Sequence, residues 1–263
     1  MGRLVAPLVV GSARAAVAVR AAGADVAPTA ASLTCAFPEA TDKIVLLVAA
    51  PGENDDCWDR HTDQVGAGYG ERLARLLDWT PVRLRCEQRA ADELAVELSS
   101  LLQRVVDGWP QEVSRMLVIG HGAGGLAVRA ATAVRSHTPR PWQTLVSDVV
   151  LLETPLLAAS QPRYAVPLGR RLEEQLGGIT AVQPHCEPLA HTRYTAFTTR
   201  GPDAGNPVGR ALGDLLWWRH RVRGRPRRAH LLFPTAAAHR IDAGDLTLAN
   251  HPQVHRALVE LAS

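Results

Sequence analysis

The sequence predicts an α/β protein built as one domain, with a doubly wound, mostly parallel sheet in three αβα layers. Strand-like and helix-like segments alternate along nearly the whole chain, which calls for parallel strands joined by helical crossovers on both faces. The runs KIVLLVAA (43–50) and MLVIG (116–120) are continuously apolar and stop at Pro51-Gly52 and at a glycine cluster, as strands buried on both faces do. No internal repeat or low-complexity linker divides the 263 residues, a length that buries about three quarters of the unfolded surface.

The elements follow in order. Residues 11–32 are alanine-rich and predict a helix ending before Pro28, within an N-terminal helical extension over 1–42. The polar, glycine-bearing stretch PGENDDCWDRHTDQVGAG (51–68) reads as a loop. Leu73, Leu76 and Leu77 share a helical face in YGERLARLLD (69–78), and TPVRLRC (80–86) alternates as a strand. ADELAVELSSLLQRVVDGW (91–109) is a long amphipathic helix with Leu94, Leu98, Leu101, Leu102 and Val105 at helical spacing, closed by Gly108 and Pro110. After MLVIG come a helix (122–137), the strand SDVVLLET (147–154) and a weaker pattern that reads as a small cap insertion over 155–192, with a helix at 163–178. RYTAFTT (193–199) and AHLLFP (229–234) are strand candidates, and a last helix starts at Pro252, a favourable first helical position.

Composition bounds the function. The chain is 46% hydrophobic and 21% charged with a net charge of +3, which is too small to imply nucleic acid. Lysine occurs once, at Lys43, among many arginines, alanines and valines; this bias suggests a GC-rich, actinobacterial genome. The basic stretch RHRVRGRPRR (219–228) reads as a solvated loop. Cys35, Cys57, Cys86 and Cys186 are widely spaced without a C-x-x-C pair, so reduced thiols in a cytoplasmic protein are expected, with no metal and no cofactor. Arg14 and Arg20 interrupt the apolar start, which argues against a secretory signal. No uninterrupted run reaches the roughly 18 apolar residues of a membrane span.

The glycine cluster supports two readings. Gly120, Gly122 and Gly125 spell G-x-G-x-x-G after a strand and before a helix, as in a dinucleotide-binding loop. That loop requires an acid about 20 residues on, whereas Glu153, which ends the next strand, lies 33 residues after Gly120, and two βα units precede the loop. Alternatively, Gly120-His121-Gly122-Ala123-Gly124 is a G-x-S-x-G elbow with glycine at the nucleophile position.

The second reading gains from its flanks. GHGAGGLAVRAA resembles the G-H-S-x-G-G-L elbow of the α/β-hydrolase superfamily, in its lipase and GPI-inositol-deacylase-like branch. VLLVAAPGENDDCW is similar to that branch's oxyanion-loop segment, LLETPLLAAS to its L-G-T-P-H segment, GNPVGRALGDLL to the segment ending at the acid, and LTLANHPQVHRAL to the start of its final helix. The resemblance runs from about residue 43 to the end. It implies an α/β-hydrolase fold and, in chain order, a nucleophile at Gly122, an acid at Asp214 and a histidine in the C-terminal loop. It also implies oxyanion donors at Ala49-Ala50-Pro51 and after the elbow at Ala123.

The departures from that pattern decide the expected function. Gly122 has no hydroxyl to attack a carbonyl, Ala49-Ala50 replace His-Gly, Pro51 offers no N–H, and Leu156 replaces a histidine. An ungapped match puts Asp245 at the place of the catalytic histidine, so His239 serves only with an insertion. Loss of the nucleophile costs on the order of 10⁶ in turnover, roughly 8 kcal/mol of barrier. The expectation is a lipase- or esterase-like protein without serine chemistry: a binding or regulatory module for a small hydrophobic or acyl-bearing ligand, or for a protein partner. The alternatives are an enzyme using an Asp214–His239 general base and an active esterase whose serine was deliberately replaced. His121 is expected to be packed and hydrogen-bonded, Cys57 structural, Trp217-Trp218 packing residues, and Glu153 paired with an arginine.

Overall fold

The structure is a computed structural model that describes residues 15–156, 187–199, 232–241 and 246–263. Asp214, Asp245, Trp217-Trp218, the basic stretch 219–228 and most of the expected cap lie outside these residues. Among the described residues, no helix is long and apolar enough to cross a membrane.

Among the described residues, eight strands form one sheet: β1 (Val17–Ala21), β2 (Ala24–Val26), β3 (Lys43–Val48), β4 (Thr80–Cys86), β5 (Arg115–His121), β6 (Val146–Leu152), β7 (Arg193–Thr199) and β8 (Ala237–Ile241). Their order is β2-β1-β4-β3-β5-β6-β7-β8. The β1–β2 and β1–β4 pairs are antiparallel, and all five pairs from β4 to β8 are parallel. The helices are α1 (Ala30–Ala36), α2 (Thr62–Val65), α3 (Tyr69–Leu77), α4 (Ala91–Gly108), α5 (Ala123–Thr132) and α6 (Pro252–Ala262). The three-layer, mostly parallel architecture is the one the alternating pattern requires.

Each face of the sheet has its own core. On one, the stripe Leu94, Leu98, Leu101, Leu102 and Val105 of α4 is fully buried against Ile44, Leu46, Val48 and Val118, together with Leu126 and Ala127 of α5. On the other, Tyr69 and Leu73 of α3 and Val254 and Leu258 of α6 pack on Val45, Leu47, Leu117 and Ile119. The alternation of β3 and β5 residues between the two clusters follows from the two-residue period of a strand.

Two segments differ from the sequence expectation. The alanine-rich stretch near the N-terminus forms a β-hairpin rather than a helix. Ala22 (φ 47°) and Gly23 (φ 76°) both take positive φ, the requirement of a two-residue turn that matches strand twist. Arg20 and Asp25, which face each other in the register, form an ion pair at 2.7 Å. Arg85 on β4 holds the other Asp25 oxygen at 2.8 Å. Of the strand candidate at 229–234, only Leu232, Phe233 and Pro234 are described, and they form a turn before the strand Ala237–Ile241. Leu232 and Phe233 are buried, while Leu232 N–H donates to Leu156 O and Ala236 N–H to Phe233 O.

The N-terminal edge of the parallel strands is held by one buried carboxylate. Asp148 on β6 accepts from Arg193 Nε at 2.7 Å and from Arg115 at 3.1 Å. Both guanidiniums also donate to Leu261 O at the end of α6. Asp148→Ala should destabilise the protein by about 3 kcal/mol, the low end for breaking a buried pair because Arg193 still reaches water. Urea denaturation measures this, and a loss below about 1 kcal/mol would show a solvated contact instead.

The hairpin carries a pH dependence. Hydrogen bonds from Arg85 and then Arg20 outweigh burial and hold the Asp25 carboxyl at about 2, below its ordinary 3.8. Its contribution to stability is complete above that ordinary value and disappears as pH falls through about 2. Asp25→Asn should therefore lower the melting temperature at pH 6 and lose its effect in the most acidic samples.

Candidate functional site

The strand order reverses direction between β3 and β5: the chain leaves β3 towards β4 on one side, and β5 lies on the other. Crevices at the carboxyl ends of strands flanking such a reversal are where open α/β sheets bind ligands. Here the loop after β3 and the turn after β5 meet there.

The turn after β5 is a sharp strand-to-helix elbow. Gly122 caps α5 with φ 53° and ψ −125°, and its N–H donates to Leu152 O on β6 at 2.7 Å. The neighbouring glycines are demanded by packing. A Cβ on Gly120 would lie 2.6 Å from Gly125 Cα, and one on Gly124 would lie 2.6 Å from Ala49 O. Gly122 is different. Among the described residues, a Cβ there would meet only Ala50 Cβ at 3.7 Å, an ordinary contact, so none of them closes the position to a side chain, although φ 53° strains any residue but glycine.

The loop after β3 is a tight turn. Glu53 N–H donates to Ala50 O at 2.8 Å across Pro51 and Gly52, and Gly52 has φ 82°, the proline-then-glycine arrangement of a type II turn. Gly52 N–H is taken by Cys86 O at 2.8 Å. Pro51 has no N–H, and those of Gly52 and Glu53 are occupied, so residues 51–53 offer no donor to a developing oxyanion.

That turn aims Glu53 at the elbow. Glu53 Oε2 lies 3.1 Å from His121 Nδ1, and Arg60 donates to the other carboxylate oxygen at 2.9 Å. Burial opposes ionisation of Glu53, but the hydrogen bond and charge of His121, aided by Arg60, hold its carboxyl below the usual range. Trp58, buried, sets its ring edge-on to His121 with centroids 6.2 Å apart, and its Nε1 has no partner among the described residues. Asn250 fastens this loop by donating to Trp58 O at 2.8 Å and Arg60 O at 2.7 Å, while its Oδ1 accepts from Tyr69 N–H.

Glu153, the first residue after β6, sits in the left-handed region at φ 52°. Such a conformation costs a non-glycine residue about 1–3 kcal/mol and gathers at functional sites. Its carboxylate accepts from Thr199 N–H at 3.1 Å; among the described residues this main-chain group, and no arginine, holds it. Burial raises the Glu153 carboxyl above its ordinary value, and the Thr199 hydrogen bonds and His121 charge offset only part of that.

The sequence-named residues therefore divide. Ala49, Ala50, Pro51, His121, Gly122 and Ala123 come together at the elbow. His239 lies on β8, exposed and stacked on Phe197 with centroids 5.2 Å apart. It shares a sheet row with His121 through the pairs His121–Leu152, Leu152–Phe197 and Phe197–His239. Three strand spacings separate them, roughly 14 Å. Cys57 is buried, and burial, with the Glu53 charge, pushes its thiol up to about 12, the opposite of an activated nucleophile. Glu53 is the member that sequence reading missed as a site residue; its signal is its place directly after Pro-Gly in the loop facing the elbow.

No protein-family profile matches the sequence, and no curated protein does. Solved structures are similar in fold. The lipase BlEst2 of Bacillus licheniformis, in mature form, superposes with a TM-score of 0.52 at 13% identity over 83% of this chain and 91% of that one. An esterase of Pyrococcus furiosus gives 0.49 at 11% identity over 85% and 81%. A lipase-esterase related protein of Clostridium acetobutylicum gives 0.47 at 10% over 85% and 96%. The strand order and the first of these superpositions define the chain as an α/β-hydrolase-fold protein.

The buried thiols give a direct check. Iodoacetamide at pH 8 should alkylate exposed Cys35 and spare Cys57 and Cys86, whose thiols burial pushes up to about 12. Peptide mapping reads the outcome, and labelling of Cys57 in the native protein would restore it as a nucleophile candidate.

Proposed function

We propose that this protein is a lipase- or esterase-like member of the α/β-hydrolase fold that has lost serine-hydrolase chemistry and keeps the elbow crevice as a binding site for a small hydrophobic or acyl-bearing ligand. The observation that carries the reading is Gly122: the strained elbow backbone is present, no described residue closes it to a side chain, and no hydroxyl stands there. The closed turn supports it, because Pro51 has no N–H and those of Gly52 and Glu53 are occupied, so these three residues offer a tetrahedral oxyanion no donor. The neighbourhood of Ala50 and Trp58 suits an apolar ligand group. The Asp214–His239 general-base alternative draws no support from the exposed, stacked position of His239.

Gly122→Ser tests the reading. No described residue opposes the new side chain, which adds a backbone strain of about 1–2 kcal/mol, so the variant should fold with a slightly lower melting temperature. It should neither hydrolyse 4-nitrophenyl acetate faster than the parent nor gain mass from a serine-reactive phosphonate. Rapid turnover with an adduct at the substituted position would mean that the remaining machinery is intact and that only the nucleophile is missing. Binding of 4-nitrophenylacetone, the ketone counterpart of that ester, should raise the melting temperature of the parent protein.

A further inference from the structure

We propose that His121, oriented by Glu53, is a general base that activates water against an acyl compound held over Gly122. The location rests on the binding reading above, whereas the activity goes beyond it.

The first argument is tautomer and orientation. A carboxylate 3.1 Å from Nδ1 can only accept, so Nδ1 carries a proton, and in the neutral ring Nε2 is the basic nitrogen. The imidazole is thereby fixed as a base, and Glu53 is itself fixed by Arg60. Glu53 is a positioning residue: it orients the ring and stabilises the imidazolium that forms when a proton arrives.

The second argument is placement. The pair joins the loop after β3 to the end of β5, on the two sides of the sheet's reversal point, where the topology opens a crevice. The third is space. Beside the base, residue 122 has no side chain, and among the described residues a Cβ there would touch only Ala50, so none of them blocks the approach of reacting groups to the place where a serine would stand. Among the described residues, the other ionisable groups at the pair are Arg60, bound to Glu53, and Glu153 at the end of β6, which interacts electrostatically with His121.

The step closes without a co-reactant. Water bonds to the acyl carbon as Nε2 takes its proton. The bond from that carbon to the leaving oxygen then breaks, and the imidazolium returns the proton to that oxygen. The products are a carboxylic acid and an alcohol. No covalent intermediate forms, and residue 122 contributes no atom.

The experiment compares 4-nitrophenyl acetate hydrolysis by the full chain with His121→Gln, Glu53→Gln and, as a control, exposed His137→Gln. Positioned general bases contribute about 10²–10⁴ in rate, so His121→Gln should lose about 100-fold while His137→Gln is unchanged. Glu53→Gln should slow the reaction less and move the ascending limb of the pH profile to lower pH, because the imidazolium loses its counter-charge. Melting curves establish that each variant folds. Equal rates for the parent and both site variants would overturn the proposal, as would an acetyl adduct on His121, which would make it a nucleophile. The ketone separates this failure from that of the binding reading. If 4-nitrophenylacetone binds but His121→Gln changes nothing, the base assignment falls alone; if it does not bind and no turnover occurs, both fall.

Discussion

The close approach of α5 to the backbone of the central strands is the constraint on which the rest of the structure depends. Gly124 lies against the carbonyls that end β3, Gly120 against Gly125, and Gly125 against Leu151 and Thr154. A methyl group at any of these positions would force the helix away from the sheet. With α5 held there, its first turn must begin at the rim of the sheet, and the single residue joining strand to helix must bend sharply. The bend at Gly122 is thus a consequence of packing at its neighbours. What enforces the elbow is therefore the core, and not the residue that stands at its apex.

The two ends of the parallel strands use charge differently. At the amino end, Asp148 is enclosed by two arginines that are themselves tied to the last turn of α6. Its charge is matched. At the carboxyl end, Glu53 and His121 share one contact, Glu153 is held by a main-chain N–H in a strained conformation, and Trp58 Nε1 is buried without a partner among the described residues. At this rim, strain at Glu153 and incomplete pairing at Trp58 stand beside the point where the sheet order reverses. Stability is secured at one rim, which leaves the other free to hold groups in less comfortable arrangements.

Periodicity made most of this fold readable in the sequence. The stripe of α4 and the apolar runs of β3, β5 and β6 face the cores that their patterns imply, because burial on those surfaces depends only on local spacing. The β1–β2 hairpin was not legible for the converse reason. Its residues are mostly alanine, valine and glycine, compatible with a helix, and what selects the strand is pairing with β4 and the reach of Arg85 to Asp25, a contact between residues 60 apart. β8 has a single buried residue in five, which leaves no pattern to read. At the site, His121, Gly122 and Ala49–Pro51 could be named because they belong to contiguous motifs. Glu53 could not, since its partner is 68 residues away and its aim is set by a turn whose geometry only the backbone reveals. His239 was placed by chain order, and chain order does not say how far along the sheet a strand will lie.

The loop that carries Glu53 is fastened by the far end of the chain. Asn250 ties down Trp58 and Arg60, the hydroxyl of Tyr69 bridges Leu248 and His251, and Trp79 donates to Ala262, with sequence separations of 179 to 192 residues. Contacts of such range close late, after the entropy of the intervening loops has been lost. During vectorial synthesis, β3, β4 and β5 can therefore associate while the crevice loop is still unfastened. The rim that carries Glu53 is fastened only when α6 and the segment before it have packed, so ordering of this rim waits for the longest-range contacts of the fold.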